Sequence, residues 1–113
     1  MVVKGKTKSM GLGMYVIHPS LITYVEQDKE YFAVHFVNGS ESIRVHGSSK
    51  EADALFPFLV RIQRTYLINL TNVSSVHSRI KRQVDVAFTN GTKIEFVKSE
   101  IHHDKFMEAF EKL

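Results

Sequence analysis

Apolar and polar positions alternate along most of the chain, and only from about Ser99 does a longer period replace the alternation. Thr23 to Glu26 and Tyr31 to Val37 are rich in β-branched and aromatic residues, which suit a pleated, half-buried backbone. They predict two strands joined by the polar loop Gln27-Asp28-Lys29-Glu30. Asn38-Gly39 tolerates positive φ at both central turn positions, so a tight hairpin should lead into the alternating run Ser42-Ile43-Arg44-Val45-His46. Ser48-Ser49-Lys50-Glu51 matches a capping box, in which Ser48 accepts from the amide three residues on and Glu51 reaches back. A short helix follows to about Phe56, and Pro57 closes it because the residue before a proline is pushed out of the helical region.

Leu59 to Ile62 and Tyr66 to Leu70 read as short strands around a polar corner, Gln63-Arg64-Thr65. Val73 to His77 and Gln83 to Phe88 follow, separated by Ser78-Arg79-Ile80-Lys81-Arg82, and Asn90-Gly91 turns the chain back into Lys93 to Val97. Phe106, Met107, Phe110 and Leu113 then fall at i, i+1, i+4 and i+7, the stripe of an amphipathic terminal helix. The pattern predicts a mainly antiparallel all-β fold of small sheets with one short internal helix and a C-terminal helix. No repeat, low-complexity segment or interior linker divides it, so residues 1–113 read as one domain. Residues 1–12 are basic and are expected to form a linker or flexible arm, with an added strand as the least favoured alternative.

Composition narrows the class. A chain of 113 residues can bury one modest core without staples, and 43% hydrophobic with 24% charged residues argues against disorder. The absence of cysteine removes disulfide frameworks, thiolate zinc sites and thiol nucleophiles, and suits a reducing cytosol. No uninterrupted apolar run of signal or membrane-spanning length follows the basic N-terminus, so a cytoplasmic protein without a membrane partner is expected.

Charge is unevenly placed. Between Pro57 and Val84 the sequence carries Arg61, Arg64, Arg79, Lys81 and Arg82 with no Asp or Glu, while the formal charge of the whole chain is only +3. A field concentrated in this way attracts a polyanion to one part of the surface, most commonly nucleic acid. The competing interpretation is that the fold scatters these side chains over several faces, where they only aid solubility.

Catalytic and metal patterns are missing. The histidines at 18, 35, 46, 77, 102 and 103 form no convincing ligand set; His102 and His103 diverge by about 100° on a helix, and His35 with His46 across a hairpin would lack a third ligand. No nucleophile elbow or phosphate-binding glycine loop occurs, and Gly11-Leu12-Gly13 lacks a third glycine. No enzyme activity, cofactor, metal or small-molecule substrate is expected.

The stretch Leu59-Val60-Arg61-Ile62-Gln63-Arg64-Thr65-Tyr66-Leu67-Ile68-Asn69-Leu70 resembles the signature of the LytTR DNA-binding domain, an output module of bacterial response regulators. Arg61, Arg64, Thr65, Tyr66 and Asn69 match that signature, and the similarity continues in register from about Ile22 to Leu113. Gln63 stands where the family has histidine, and Val97-Lys98 where it has Ser-Arg, with Ser99 next along the chain to supply the missing hydroxyl; these departures bear on base preference. The resemblance implies an elongated domain that binds double-stranded DNA through loops entering successive major grooves, as a bacterial transcription regulator of a two-component system. By position it implies DNA contacts from Lys29 or Glu30, from Gln63 and Arg64, and from Lys98 with Ser99, and a second copy on a direct repeat. Arg64 suits bidentate contact with guanine and Lys98 suits phosphate, with Arg79, Lys81 and Arg82 as further phosphate contacts. Arg61, Tyr66 and Asn69 lie in apolar strand sequence and are expected to be structural, Arg61 partly buried and paired. The alternative from another class is a protein interaction module docking through the terminal helix, with Phe106, Met107 and Phe110 as anchors, or through a sheet edge. RNA binding is a weaker option, because the glycine-aromatic pattern of RNA-recognition strands is absent.

Overall fold

The computed structural model of the chain describes residues 1–62, 64–78, 83–97 and 103–112. Among them, strands β1 (Val2–Thr7), β2 (Gly11–Val16), β3 (Ile22–Gln27), β4 (Tyr31–Phe36), β5 (Ile43–His46), β6 (Val60–Arg61) and β7 (Tyr66–Ile68) form an antiparallel sheet in the order β2-β1-β5-β4-β3-β7-β6. Strands β8 (Val73–Ser78), β9 (Gln83–Phe88) and β10 (Lys93–Val97) form a second sheet in the order β10-β9-β8. Helix α1 (Ser49–Leu55) lies between β5 and β6, and α2 (His103–Glu111) follows β10. The body is elongated, 42 × 26 × 24 Å.

Strand alternation divides the apolar side chains between two cores. Val25 and Leu67, register partners on β3 and β7, face the first core with Val3, Phe32, Val34, Ile43 and Val45. Helix α1 closes that core with Ala52 and with Phe56, the residue that caps its C-terminus. Its capping box is complete: the Glu51 amide donates to Ser48 Oγ at 3.3 Å, and the Ser48 amide donates to Glu51 Oε1 at 3.3 Å. The neighbouring register pair, Tyr24 and Ile68, points to the other face and meets the second core, built from Ile62, Val84, Val86, Phe88, Ile94 and Phe96. Burying each such side chain is worth about 1.5–3 kcal/mol, so β3 and β7, covered on both faces, form the firmest part of the large sheet. Met107 and Phe110 of α2 pack on the second core, so the described part of the terminal stripe is largely engaged with the body.

Residues 1–12 are not a linker or flexible arm. They supply all of β1 and the first residues of β2, in unbroken register from Val2↔Val16 to Thr7↔Gly11, and Lys6↔Arg44 joins the hairpin to β5. Val3 and Thr7 are buried on the inner face, whereas Lys4 and Lys6 point out, so the lysines hide a period-two strand pattern. Gly5 permits the close approach, because a Cβ there would lie 2.9 Å from the Arg44 carbonyl oxygen.

Both Asn-Gly pairs turn the chain, though neither as a two-residue hairpin. The Val34↔Ile43 register is centred on Asn38-Gly39, but the ladder stops there because the Val37 amide donates to the Leu21 carbonyl at 2.7 Å instead of crossing the turn. At the second, Gly91 donates to Phe88 O at 2.9 Å and Phe88 to Thr92 O at 2.8 Å, a three-residue loop closed by Gly91 at φ +89°.

Candidate nucleic-acid interface

At one end of the large sheet the β3–β4 loop meets the corner between β6 and β7. The Gln27 amide donates to the Thr65 carbonyl at 2.6 Å, and the Gln27 side-chain amide donates to Asp28 O at 2.7 Å and Tyr31 O at 3.1 Å. Asp28 closes the loop, its amide donating to Tyr31 O at 2.8 Å and its carboxylate accepting from the Lys29 amide at 2.8 Å. Glu30 O accepts from the Gly47 amide at 2.7 Å, tying the loop to the segment that leads into α1. The exposed Glu30 carboxylate stands 4.0 Å from His46 Nε2.

Arg61 organises the other side. Its Nε and Nη2 donate to Asp53 Oδ1 on α1 at 2.9 and 2.7 Å, and Nη1 donates to the Arg64 carbonyl at 2.9 Å. The Arg61 side chain is only 19% exposed. Arg64 itself is exposed and lines an open groove of about 600 Å³ with Lys29, Ser49, Asp53 and Thr65. One cation of the basic segment therefore holds the corner while the next extends from it.

Asn69 lies behind the corner, buried. Its Nδ2 donates to Ile22 O at 2.8 Å and Pro19 O at 3.2 Å, and its Oδ1 accepts from Thr71 Oγ1 at 2.8 Å. Asn72 adds bonds to Ser20 O and Ile22 O, so the two asparagines fasten the start of β3 to the turn after β7. Tyr66 sits opposite Glu26 and packs edge-on against Tyr24, whose ring stacks on Phe88 and His35. Burial, reinforced by Glu26, raises the phenol pKa of both tyrosines. For His35 burial lowers the pKa and Glu26, 3.5 Å away, opposes it. His35 Nδ1 pairs with Ser42 Oγ at 2.8 Å, and His46 lies opposite Tyr31, so the two histidines do not meet. No group of three potential metal ligands occurs among the described residues.

Of the sequence-predicted contacts, the structure gathers Lys29 and Arg64 in one groove with Glu30 beside it; Gln63, Arg79, Lys81, Arg82, Lys98 and Ser99 lie outside the described residues. Gln27, Asp28 and Asp53 escaped the sequence reading. They organise the site through backbone bonds and one long-range ion pair, which leave no local periodicity.

The LytTr DNA-binding domain model matches residues 13–110. The chain belongs to this family. Its LytTR fold is shared with the solved LytTr DNA-binding domain of a response regulator from Bacillus cereus, at 17% identity and a TM-score of 0.74, over 99% of this chain and 97% of that one. No curated protein sequence matches the chain. As a LytTR domain it has DNA as its partner and transcription regulation as its context. No helix among the described residues is long and apolar enough to cross a membrane.

Proposed function

We propose that this LytTR domain binds double-stranded DNA sequence-specifically, as the output domain of a bacterial transcription regulator, by inserting loops into successive major grooves. Arg64 reads base edges, since a guanidinium at an exposed corner can reach guanine O6 and N7 together. Lys29 and Glu30 flank it from the β3–β4 loop. Gln63, Lys98 and Ser99 join by their positions in the family motif, and Arg79, Lys81 and Arg82 neutralise phosphates. Two copies on a direct repeat complete the arrangement. The observation that carries the reading is that Arg64 and Lys29, 35 positions apart in sequence, line one solvent-open groove whose walls are fixed by Gln27 and Arg61.

Anisotropy titration against a random-sequence duplex pool tests it. Binding at low salt with log K falling steeply and linearly against log[salt] is the expected result. Absence of binding at low salt contradicts it and favours a protein interaction module.

A further inference from the structure

The second core covers the outer face of the large sheet around β3, β7 and β6. Over β1, β2 and β5 that face is open among the described residues, and Lys4, Lys6, Lys8 and Arg44 are all exposed there. Lys6 and Arg44 are register partners, and the Arg44 guanidinium is held 4.8 Å above the Tyr31 ring. Lys4, Lys6, Leu12, Tyr31, Arg44 and His46 line one depression of about 390 Å³, with the exposed Met14 of β2 opposite Lys4. Tyr31 and Arg44 also border the next depression, with Gln27, Asp28 and Thr65, and those three residues in turn border the groove of Lys29 and Arg64. The three depressions thus adjoin one another round the loop end of the sheet, the middle one carrying the Glu26 and Asp28 carboxylates beside Arg44. Of the acids nearby, Glu41 accepts from the Ser9 amide and hydroxyl, Asp28 accepts from the Lys29 amide, Glu26 lies 3.5 Å from His35, and Glu30 lies 4.0 Å from His46. From β7 to β1 are four strand steps, about 19 Å in all, farther than the ~12 Å width of one major groove.

We propose that the outer face of the β1–β2 hairpin and β5 is a second phosphate-binding surface, on which Lys4, Lys6 and Arg44 grip the backbone of the duplex flanking the bases that Arg64 reads. The proposal rests on the DNA-binding function above and extends its footprint. Lys4 and Lys6 precede the residues matched by the family model, and Arg44 lies within them. The surface contributes affinity without sequence preference, because it meets only phosphate.

The test compares the parent with a Lys4→Gln/Lys6→Gln/Arg44→Gln variant by anisotropy, on a duplex the parent selects from a random library and on the unselected pool. The expected result is a roughly 10-fold loss on both DNAs, an unchanged ratio between them, and a salt slope shallower by about 2–3. A Lys4→Arg/Lys6→Arg/Arg44→Lys variant should keep the parent's slope, and losing it despite retained charge would overturn the proposal. Equal affinity and slope for parent and glutamine variant would overturn the second surface alone. Loss confined to the selected duplex would mean that these side chains read bases, against the proposal. A parent that binds no duplex removes both readings. If phosphatidylserine vesicles capture the parent and release the glutamine variant while DNA affinity is unchanged, the face serves an anionic membrane and the proposal fails.

Discussion

Strand β6 and the corner that follows it carry one arginine each, three residues apart, and put them to opposite uses. Arg61 turns back to Asp53 and the Arg64 carbonyl and is mostly buried; Arg64 turns out into a groove shared with Lys29. A cation whose donors are already engaged by the protein has little left for a phosphate, whereas one on a braced backbone and open to solvent is ready for an incoming anion. Charge density along a sequence is therefore a poor measure of charge density at a surface. What matters is which cations the fold uses up.

Substitutions on the two sides of this divide should separate stability from binding. The largest effect belongs to Asn69→Ala, which strips the buried bonds to Pro19, Ile22 and Thr71 and should lower unfolding free energy by about 3 kcal/mol in urea denaturation. A loss near zero would mean that the turn after β7 holds without it. Arg64→Ala should weaken binding to a library-selected duplex by about 2 kcal/mol and leave the melting temperature at the parent's value. Matching affinities for mutant and parent would erase the distinction between the two arginines. For Arg61→Ala the order reverses: stability drops by about 1–2 kcal/mol with the lost charge-assisted bonds, and DNA affinity declines less than for Arg64→Ala because only the corner's support is removed. Should Arg61→Ala keep full stability while abolishing binding, Arg61 belongs on the DNA side.

The smallest effect is a pH dependence on the structural side. Burial holds the His35 pKa below its ordinary 6.5, so on acidification the unfolded chain takes up this proton first. Stability is complete above 6.5 and declines as pH falls from there towards the lower folded-state pKa. Melting curves between about pH 7 and 5 should therefore slope less for His35→Gln than for the parent. Identical slopes would assign the acid sensitivity elsewhere.

Local chemistry made much of this legible. The Ser48/Glu51 box, the Tyr31 to Val37 alternation and the stripe through Met107 and Phe110 each depend on neighbours within a turn or two, and all became the elements they predict. The N-terminal hairpin was not legible, because the lysines of β1 read as solvated charge and the strand's inward residues include a glycine and a threonine. The Asn38-Gly39 loop departs from a tight turn through a bond to Leu21, which no hairpin rule contains. At the site, Arg64 was visible through its motif, but its brace was not: Asp53 sits on α1 and reaches Arg61 only once helix and strand have packed. The groove shared by Lys29 and Arg64 likewise exists only through the pairing of β3 with β7.

The arginine Nε–Hε resonances, followed by NMR while a library-selected duplex is titrated in, test the division most directly. The Arg64 signal should shift and sharpen on saturation, with the Arg61 signal nearly stationary. A large shift at Arg61 with Arg64 silent would contradict it.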